Sequence, residues 1–324
     1  MRLIFCGTPQ FAVPSLWHLL AQSDLEVAAV ITQPDRPSGR GHEISFPPVK
    51  QIALEAGVPV HQPQKIRGPD SQQFLEALAP DAIVIIAYGQ IIPARLLNIP
   101  QLGWINLHAS LLPKYRGAAP INWAIVNGET TTGLTTMRID AGMDTGEVLL
   151  QEELPIGAQE TAPELAVRMS EAGAPLILQT LRGLRSGALT PRPQNHELAT
   201  YAPLLKKEDS RIDWQQSAQQ IVNRIRGFAS WPGASTTFRG QACQIWGEPL
   251  GSQKMQGSWR EQKPGTLLPA ASIIEGSEVH ANWLVICGHT TLLHLTAVKL
   301  EGRKKISPAE FANGARLSTG DHFV

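Results

Sequence analysis

Apolar and polar positions fall into blocks whose periods change along the chain. Arg2 to Cys6 is a short apolar run that stops at Gly7, and from Phe11 to Leu20 apolar residues recur at helical spacing, which predicts a strand followed by a helix. Leu25 to Ile31 reads as a second buried strand, and Pro48 to Ala56 and Ser71 to Leu78 read as helices. Asp81 to Ala87 is apolar on both faces, as parallel strands are, and Trp104 to His108 fits a further strand. Leu165 to Leu184 is expected to be a long helix. Strands alternating with helices predict an α/β, Rossmann-like open sheet, mostly parallel. The texture then changes. A polar stretch carries Pro191, Pro193 and Pro203, one helix is expected over Ser217 to Phe228, and short β-rich pieces follow at Ser235 to Phe238, Gln244 to Trp246, Trp283 to Cys287 and Leu292 to Val298. That pattern suits a smaller β-barrel, OB-like in kind. The expected organisation is a first domain over 1–189, a linker over 190–205 and a β-barrel domain over 206–324.

Composition narrows the class without naming it. With 324 residues, 43% hydrophobic and 17% charged, the chain has enough apolar material for two cores, and extended disorder is not expected. Cys6, Cys243 and Cys287 are odd in number and far apart, which suits neither a disulfide framework nor a zinc site, so a reducing, cytoplasmic compartment is expected. The start, Met1 to Gly7, reads into a strand rather than a signal peptide, and no run approaches a membrane span, so no membrane association is expected. The formal net charge is zero, which argues against a generic nucleic-acid binder. It is unevenly spread. Residues 1–205 carry 14 Lys and Arg against 18 Asp and Glu, whereas residues 206–324 carry 14 against 10, so the second part is the electropositive one.

Chemistry concentrates in Asn106-Leu107-His108-Ala109-Ser110-Leu111-Leu112-Pro113 and in Asp140-Ala141-Gly142-Met143-Asp144-Thr145-Gly146. On a strand, Asn106 and His108 stand at i and i+2, so both side chains leave one face. An amide and an imidazole that donate, with a carboxylate to orient the ring or to take a proton through water, suit acyl transfer to an amine, whose tetrahedral intermediate develops a negative oxygen. By residue type alone a core histidine, a strand-end amide and a turn carboxylate fit equally well. Gly7-Thr8-Pro9 lacks the glycine-rich run that cradles a pyrophosphate, so a structural turn is preferred and no NAD is expected. His280, His289 and His294 lie in barrel-like sequence without ligand spacing, so no metal is expected.

Longer strings settle the choice of class. Phe5-Cys6-Gly7-Thr8-Pro9, Thr32-Gln33-Pro34-Asp35-Arg36-Pro37, the Asn106 to Pro120 block, Asp140 to Gly146, Arg211-Ile212-Asp213-Trp214 and Trp231-Pro232-Gly233 together resemble the folate-dependent formyltransferases over nearly the whole length. The resemblance implies 10-formyltetrahydrofolate as formyl donor, Asn106, His108 and Asp144 as catalytic residues, Ser110, Leu111, Leu112 and Pro113 as the turn that seats the folate, and Tyr88-Gly89 as part of the pterin pocket.

The acceptor is read from a different segment. Gln33 to Pro48 is long for a connection in such a unit and carries Arg36 and Arg40 among prolines and glycines. By itself this is a solvated loop; by resemblance it belongs to the branch whose acceptor is initiator methionyl-tRNA, which makes Arg36 and Arg40 candidate tRNA-binding residues. His42-Glu43 departs from the two basic residues that relatives often carry there. Lys206, Lys207, Arg224, Arg226, Lys299, Arg303, Lys304 and Lys305 offer the second domain as a further RNA surface, and the protein is expected to work as a monomer. An amino-sugar nucleotide or glycinamide ribonucleotide acceptor is the rival within the chemistry, and a non-catalytic RNA-binding protein the rival outside it. The Gln33 to Gly41 loop separates the acceptors, and retention of all three polar residues separates the classes.

Overall fold

A computed structural model describes residues 1–38, 43–251, 257–274 and 283–324 of the chain and resolves two units. The first unit comprises Met1–Ile121, Thr131–Ile156 and Glu164–Pro203, and the second comprises Asn122–Thr130, Gly157–Pro163 and Leu204–Val324.

In the first unit the apolar runs become β1 (Arg2–Gly7), β2 (Glu26–Ile31), a short antiparallel pair β3 (Arg36–Ser38) and β4 (Glu43–Ser45), β5 (Val60–His61), β6 (Ala82–Ile86) and β7 (Trp104–His108). The intervening helices are α1 (Val13–Leu20), α2 (Pro48–Glu55), α3 (Pro69–Leu78) and α4 (Ala94–Leu97). Proline opens α2 and α3, where a missing N–H costs no hydrogen bond. β8 (Arg116–Gly117), α5 (Pro120–Val126), β9 (Thr131–Arg138), β10 (Val148–Pro155), the long α6 (Ala162–Ser186) and β11 (Tyr201–Ala202) follow.

The main sheet has seven strands in the order β10-β9-β7-β6-β1-β2-β5. Pairs from β5 to β7 are parallel, as expected, and β9 and β10 add an antiparallel edge. The chain runs outward from β1 in both directions, to β2 on one side and β6 on the other, so the strand order reverses there. Ligand crevices in open α/β sheets form at the carboxyl ends of strands beside such a reversal. The site begins there, at the ends of β6 and β7.

Two expectations are corrected in this unit. β9 is not among the expected strands, and its buried positions include the polar residues Thr132, Thr135 and Thr136. Thr135 and Thr136 are buried at little cost because their hydroxyls are paired: Thr136 Oγ1 lies 2.8 Å from Thr180 Oγ1, and Thr135 Oγ1 donates to the Ser110 carbonyl at 2.6 Å. The stretch from 190 to 203, expected as a linker, instead folds into the first unit. Arg192 exchanges two backbone hydrogen bonds with Val148 at 2.8 and 2.9 Å, and β11 pairs in parallel with β8. The prolines mark irregular backbone here, not a free tether.

The second unit holds α7 (Ala218–Gly227), β12 (Ser235–Phe238), β13 (Gln241–Pro249), β14 (Leu267–Pro269), β15 (Trp283–Cys287), β16 (Thr291–Leu300) and α8 (Pro308–Ala315). Its five strands form an antiparallel sheet in the order β12-β13-β16-β15-β14. Residues at the chain end touch both edges. Thr237 of β12 exchanges hydrogen bonds with Val324 at 3.0 and 2.8 Å, and Leu267 of β14 donates to the Asp321 carbonyl at 2.7 Å. Phe323 carries this segment into the core, stacked on Trp214 at 5.5 Å and edge-on to Phe238 at 5.8 Å. Residues 122–130, expected in the first domain, join this unit: the Asn122 amide donates to the Gly227 carbonyl at 2.7 Å and Trp123 meets Phe228 edge-on. Among the described residues no helix is long and apolar enough to cross a membrane.

Candidate active site

β7 ends on Asn106 and His108, two residues apart on a strand hydrogen-bonded on both sides, to β6 and to β9. Alternation therefore sends both side chains to one face, while Leu107 on the other face lies against Gly173 of α6. Asn106 is half-buried, and among the described residues no protein group takes a hydrogen bond from its carboxamide. Its N–H donors are free to act on a ligand.

His108 is buried and both ring nitrogens face named groups. Nε2 lies 2.9 Å from the Tyr115 carbonyl oxygen, and because a carbonyl only accepts, Nε2 carries the proton. Nδ1 lies 3.7 Å from Asp144 Oδ2, close enough for charge to matter and too far for a hydrogen bond. The same Asp144 oxygen accepts the Gly117 N–H at 2.8 Å, so the carboxylate is anchored on one side and faces imidazole on the other. His108 and Asp144 thus face each other, and Asn106 leaves the same face of β7 as His108.

The backbone that achieves this is unusual. Asp144 adopts φ 53° and Tyr115 φ 59°, left-handed conformations that side chains other than glycine and asparagine seldom take. Gly117 has φ 119°, and a Cβ there would lie 2.7 Å from the Ala202 carbonyl oxygen. At Gly146 a Cβ would meet the Arg138 carbonyl oxygen at 1.8 Å, so the loop carrying Asp144 can close only over glycine.

Sequence reasoning missed the groups that hold this loop. Gln194 is buried, its Nε2 donates to the carbonyls of Asp144 and Gly146 at 2.9 and 2.7 Å, and its Oε1 accepts from Arg116 Nε and Nη2 at 3.1 and 2.6 Å. Thr200 adds its hydroxyl to the Tyr115 N–H at 2.9 Å. Arg116 stood inside a quoted motif, but nothing local marked Gln194, which sits among prolines in the stretch read as a linker.

The turn from Ser110 to Pro113 is tied down from within. Ser110 Oγ donates to the Lys114 carbonyl at 2.6 Å, the Leu112 N–H donates to Thr135 Oγ1 at 3.1 Å, and Gln151 Nε2 donates to the Leu112 carbonyl at 2.9 Å. Leu112 packs with Met137 and Val148. The side chains of Ser110 and Leu112 therefore shape the turn, and Leu111 and Pro113, each half-buried, keep surface for a ligand. Tyr88 is likewise a core residue, 2% exposed among Ile4, Cys6, Ile85 and Trp104, where burial pushes its phenol well above the usual range. Its backbone carbonyl accepts from Thr8 Oγ1 and Gln33 Nε2 at 3.1 and 3.0 Å.

Arg36 is exposed on β3, just after Asp35, whose carboxylate takes hydrogen bonds from Gln62 at 2.8 Å and Lys50 at 2.6 Å. Those two groups hold the Asp35 carboxyl below the usual range and pin the start of the loop. Arg40 lies outside the described residues. In the second unit Lys299, Arg303, Lys304 and Lys305 are exposed, with the Lys305 ammonium 4.1 Å from the centre of the Trp246 ring. Arg226 is corrected: it is 9% exposed and donates to the carbonyls of Gly157 and Glu160 at 3.1 and 2.9 Å, so it serves the unit's interior. Arg224, donating to the Asp209 carbonyl, is spent in the same way. Among the described residues no group of three or more His, Cys, Asp or Glu is arranged to hold a metal ion.

Comparison with known proteins gives one consistent class. Residues 1–181 match the formyl transferase family and residues 204–316 match the formyl transferase C-terminal domain. The chain is 49% identical over 321 residues to a methionyl-tRNA formyltransferase of Solibacter usitatus, covering 99% of this chain and 98% of that protein. It is also 49% identical over 324 residues to one of Koribacter versatilis, with the same coverage. Among solved structures, an N-formyltransferase from Helicobacter canadensis in complex with folinic acid and dTDP-3-aminofucose shares the fold at a TM-score of 0.62 and 17% identity, over 91% of this chain and 98% of that one.

Proposed function

The chain belongs to the formyl transferase family, and from that premise we propose that it moves the formyl group of 10-formyltetrahydrofolate to the free amino group of methionine on initiator methionyl-tRNA. The observation that carries the acceptor is 49% identity, end to end, to proteins that bear that activity in their names. The observation that carries the chemistry is the meeting of a free carboxamide, a buried imidazole and an anchored carboxylate at the end of β7.

The reaction joins the methionine nitrogen to the formyl carbon, breaks the bond from that carbon to N10 of the folate, and moves one proton from the amine to N10. Asn106 donates to the oxygen that turns negative, which is the use its unpaired carboxamide supports. His108 donates a hydrogen bond from Nε2 to the Tyr115 carbonyl and turns Nδ1 to Asp144, so the ring contributes through that edge. Asp144, held by the Gly117 N–H, takes the amine proton through water. Leu111 and Pro113 offer apolar surface for the folate on a turn that Thr135 and Gln151 keep rigid.

In the same reading Arg36 and Arg40 grip phosphates of the acceptor arm, and the second unit is an OB-like barrel that adds backbone contacts. Support for the barrel is the segment Asp321 to Val324, which bonds to both edge strands; support for the RNA surface is exposed Lys299 and Arg303 to Lys305. The enzyme is a cytoplasmic monomer, and light scattering on the purified chain checks the latter.

The test is direct. Incubation with 10-formyltetrahydrofolate and methionyl-tRNA yields N-formylmethionyl-tRNA and tetrahydrofolate. Transfer to a UDP-amino sugar or to glycinamide ribonucleotide, with none to the tRNA, would replace the acceptor; no transfer to any of the three would remove the enzyme reading.

A further inference from the structure

Gln194 uses its entire hydrogen-bonding capacity on the loop that carries Asp144. A primary amide has two N–H donors and two acceptor sites. Here both donors go to backbone carbonyls, of Asp144 at 2.9 Å and Gly146 at 2.7 Å, and both acceptor sites are filled by Arg116 Nε and Nη2 at 3.1 and 2.6 Å. The orientation of the amide is not ambiguous, since a carbonyl cannot donate and a guanidinium cannot accept. Arg116, 2% exposed, has no carboxylate partner among the described residues; its side-chain partners there are Gln194 and, at 3.1 Å, His196 Nδ1. One buried amide therefore joins the loop of Asp144 to the strand β8, whose next residue, Gly117, binds the Asp144 carboxylate at 2.8 Å. Backbone and side chain of Asp144 are thus referred to the same two-residue segment.

We propose that Gln194 is the positioning residue for Asp144: it clamps the left-handed turn so that the carboxylate stays on the Gly117 N–H and in front of His108 Nδ1. The inference rests on the reading of Asp144 as a catalytic group. Holding φ 53° at a non-glycine residue costs on the order of 1 kcal/mol or more, and without the clamp the loop relaxes toward conformations that carry the carboxylate away. Small displacements of a reacting group are expensive in rate.

The discriminating variant is Gln194→Glu in the full chain. Its carboxylate still accepts from Arg116, now as an ion pair, but it cannot donate to two carbonyls and repels them. With saturating substrates kcat falls about 10- to 100-fold while KM for 10-formyltetrahydrofolate and for methionyl-tRNA stays within about threefold, the signature of a lost reactive geometry. Amide exchange read by mass spectrometry quickens about tenfold or more in the peptide spanning Asp140 to Glu147 and not in peptides from β1 or β6. In an Asp144→Asn background the same substitution adds almost no further loss, because it acts through a group already disabled. Unchanged kcat and unchanged loop exchange in Gln194→Glu would overturn the proposal, as would a fully additive loss on top of Asp144→Asn or exchange that rises throughout the chain. If the unsubstituted chain forms no formylmethionyl-tRNA, the proposed function fails by itself, and the exchange measurement still decides whether Gln194 holds the loop.

Discussion

Replacing Asp144 with Asn separates the charge of this residue from its place. The substitution keeps shape and keeps an oxygen for the Gly117 N–H, now 2.8 Å from Oδ2, and asparagine tolerates φ 53° better than other residues with a side chain do. What disappears is the negative charge 3.7 Å from His108 Nδ1. A positive charge that develops on the ring during transfer meets a carboxylate at that separation with about 4 kcal/mol at an effective dielectric of about 20, and the side chains are only 7% and 18% exposed, so water screens the interaction little. About 1.4 kcal/mol is tenfold in rate, so the full interaction corresponds to on the order of a thousandfold, and the retained Gly117 bond brings the expected loss in kcat to about a hundredfold or somewhat more. Single-turnover formation of formylmethionyl-tRNA at saturating 10-formyltetrahydrofolate measures it, with a melting curve on the same sample. A melting temperature within a few degrees of the parent is expected, since no contact is lost. Activity within threefold of the parent would refute the electrostatic role, and an activity loss matched by collapse of the melting transition would refute the claim that asparagine fits the turn.

Three further perturbations probe separate parts. Asn106→Ala removes the free carboxamide, so turnover drops about a hundredfold or more with folate affinity little changed in a binding titration; surviving turnover means another donor meets the oxyanion. Arg36→Ala raises the KM for tRNA and reduces its salt dependence, since Arg36 is exposed and its side chain has no hydrogen bond or ion pair among the described residues, whereas a change confined to kcat would assign it elsewhere. Asp321→Asn loosens the segment that bonds to β12 and β14. Burial opposes ionisation of Asp321, but the Ser318 N–H and the Arg239 guanidinium outweigh it and hold the carboxyl below its ordinary value of 3.8. Because the folded value is the lower one, this stabilisation is complete above pH 3.8 and drains away as the pH falls below it. Acid unfolding of the second unit should therefore lose one of its steps in Asp321→Asn, seen as a flatter pH dependence of the denaturant midpoint, with about 1 to 3 kcal/mol lost at neutral pH from the bonds to Arg239 and Ser318.

How much of this was legible depends on where the stabilising partner of each residue lies. Ala82–Ile86 reads as a strand because a parallel strand buried on both faces leaves an unbroken apolar run. Thr131–Arg138 does not, because the bonds that make its threonines tolerable inside come from Ser110, Leu112 and Thr180, far away in sequence. α8 is a different kind of omission: Ser307 and Glu310 form a capping box that is visible in the string Ser307-Pro308-Ala309-Glu310. Arg224 and Arg226 look like surface charge in the sequence, yet both are spent on carbonyls. The prolines after residue 190 look like a tether, and the buried Gln194 and the β11 pairing that deny it involve partners as distant as Arg116.

Residue types and spacing by themselves determined that Asn106 and His108 share a strand face and that a carboxylate between glycines accompanies them, and resemblance to a known family placed the whole with formyl transfer. Those properties follow from local period and from strings long enough to exclude coincidence. Only the tertiary structure decided that the Tyr115 carbonyl accepts a hydrogen bond from His108 Nε2, that Asp144 faces Nδ1 while bound to Gly117, and that Gln194, 50 positions from Asp144, bonds to the turn. The reason is physical. A hydrogen bond is made or lost over a few tenths of an ångström, and at that scale the position of each group is set by the chain segments that pack around it.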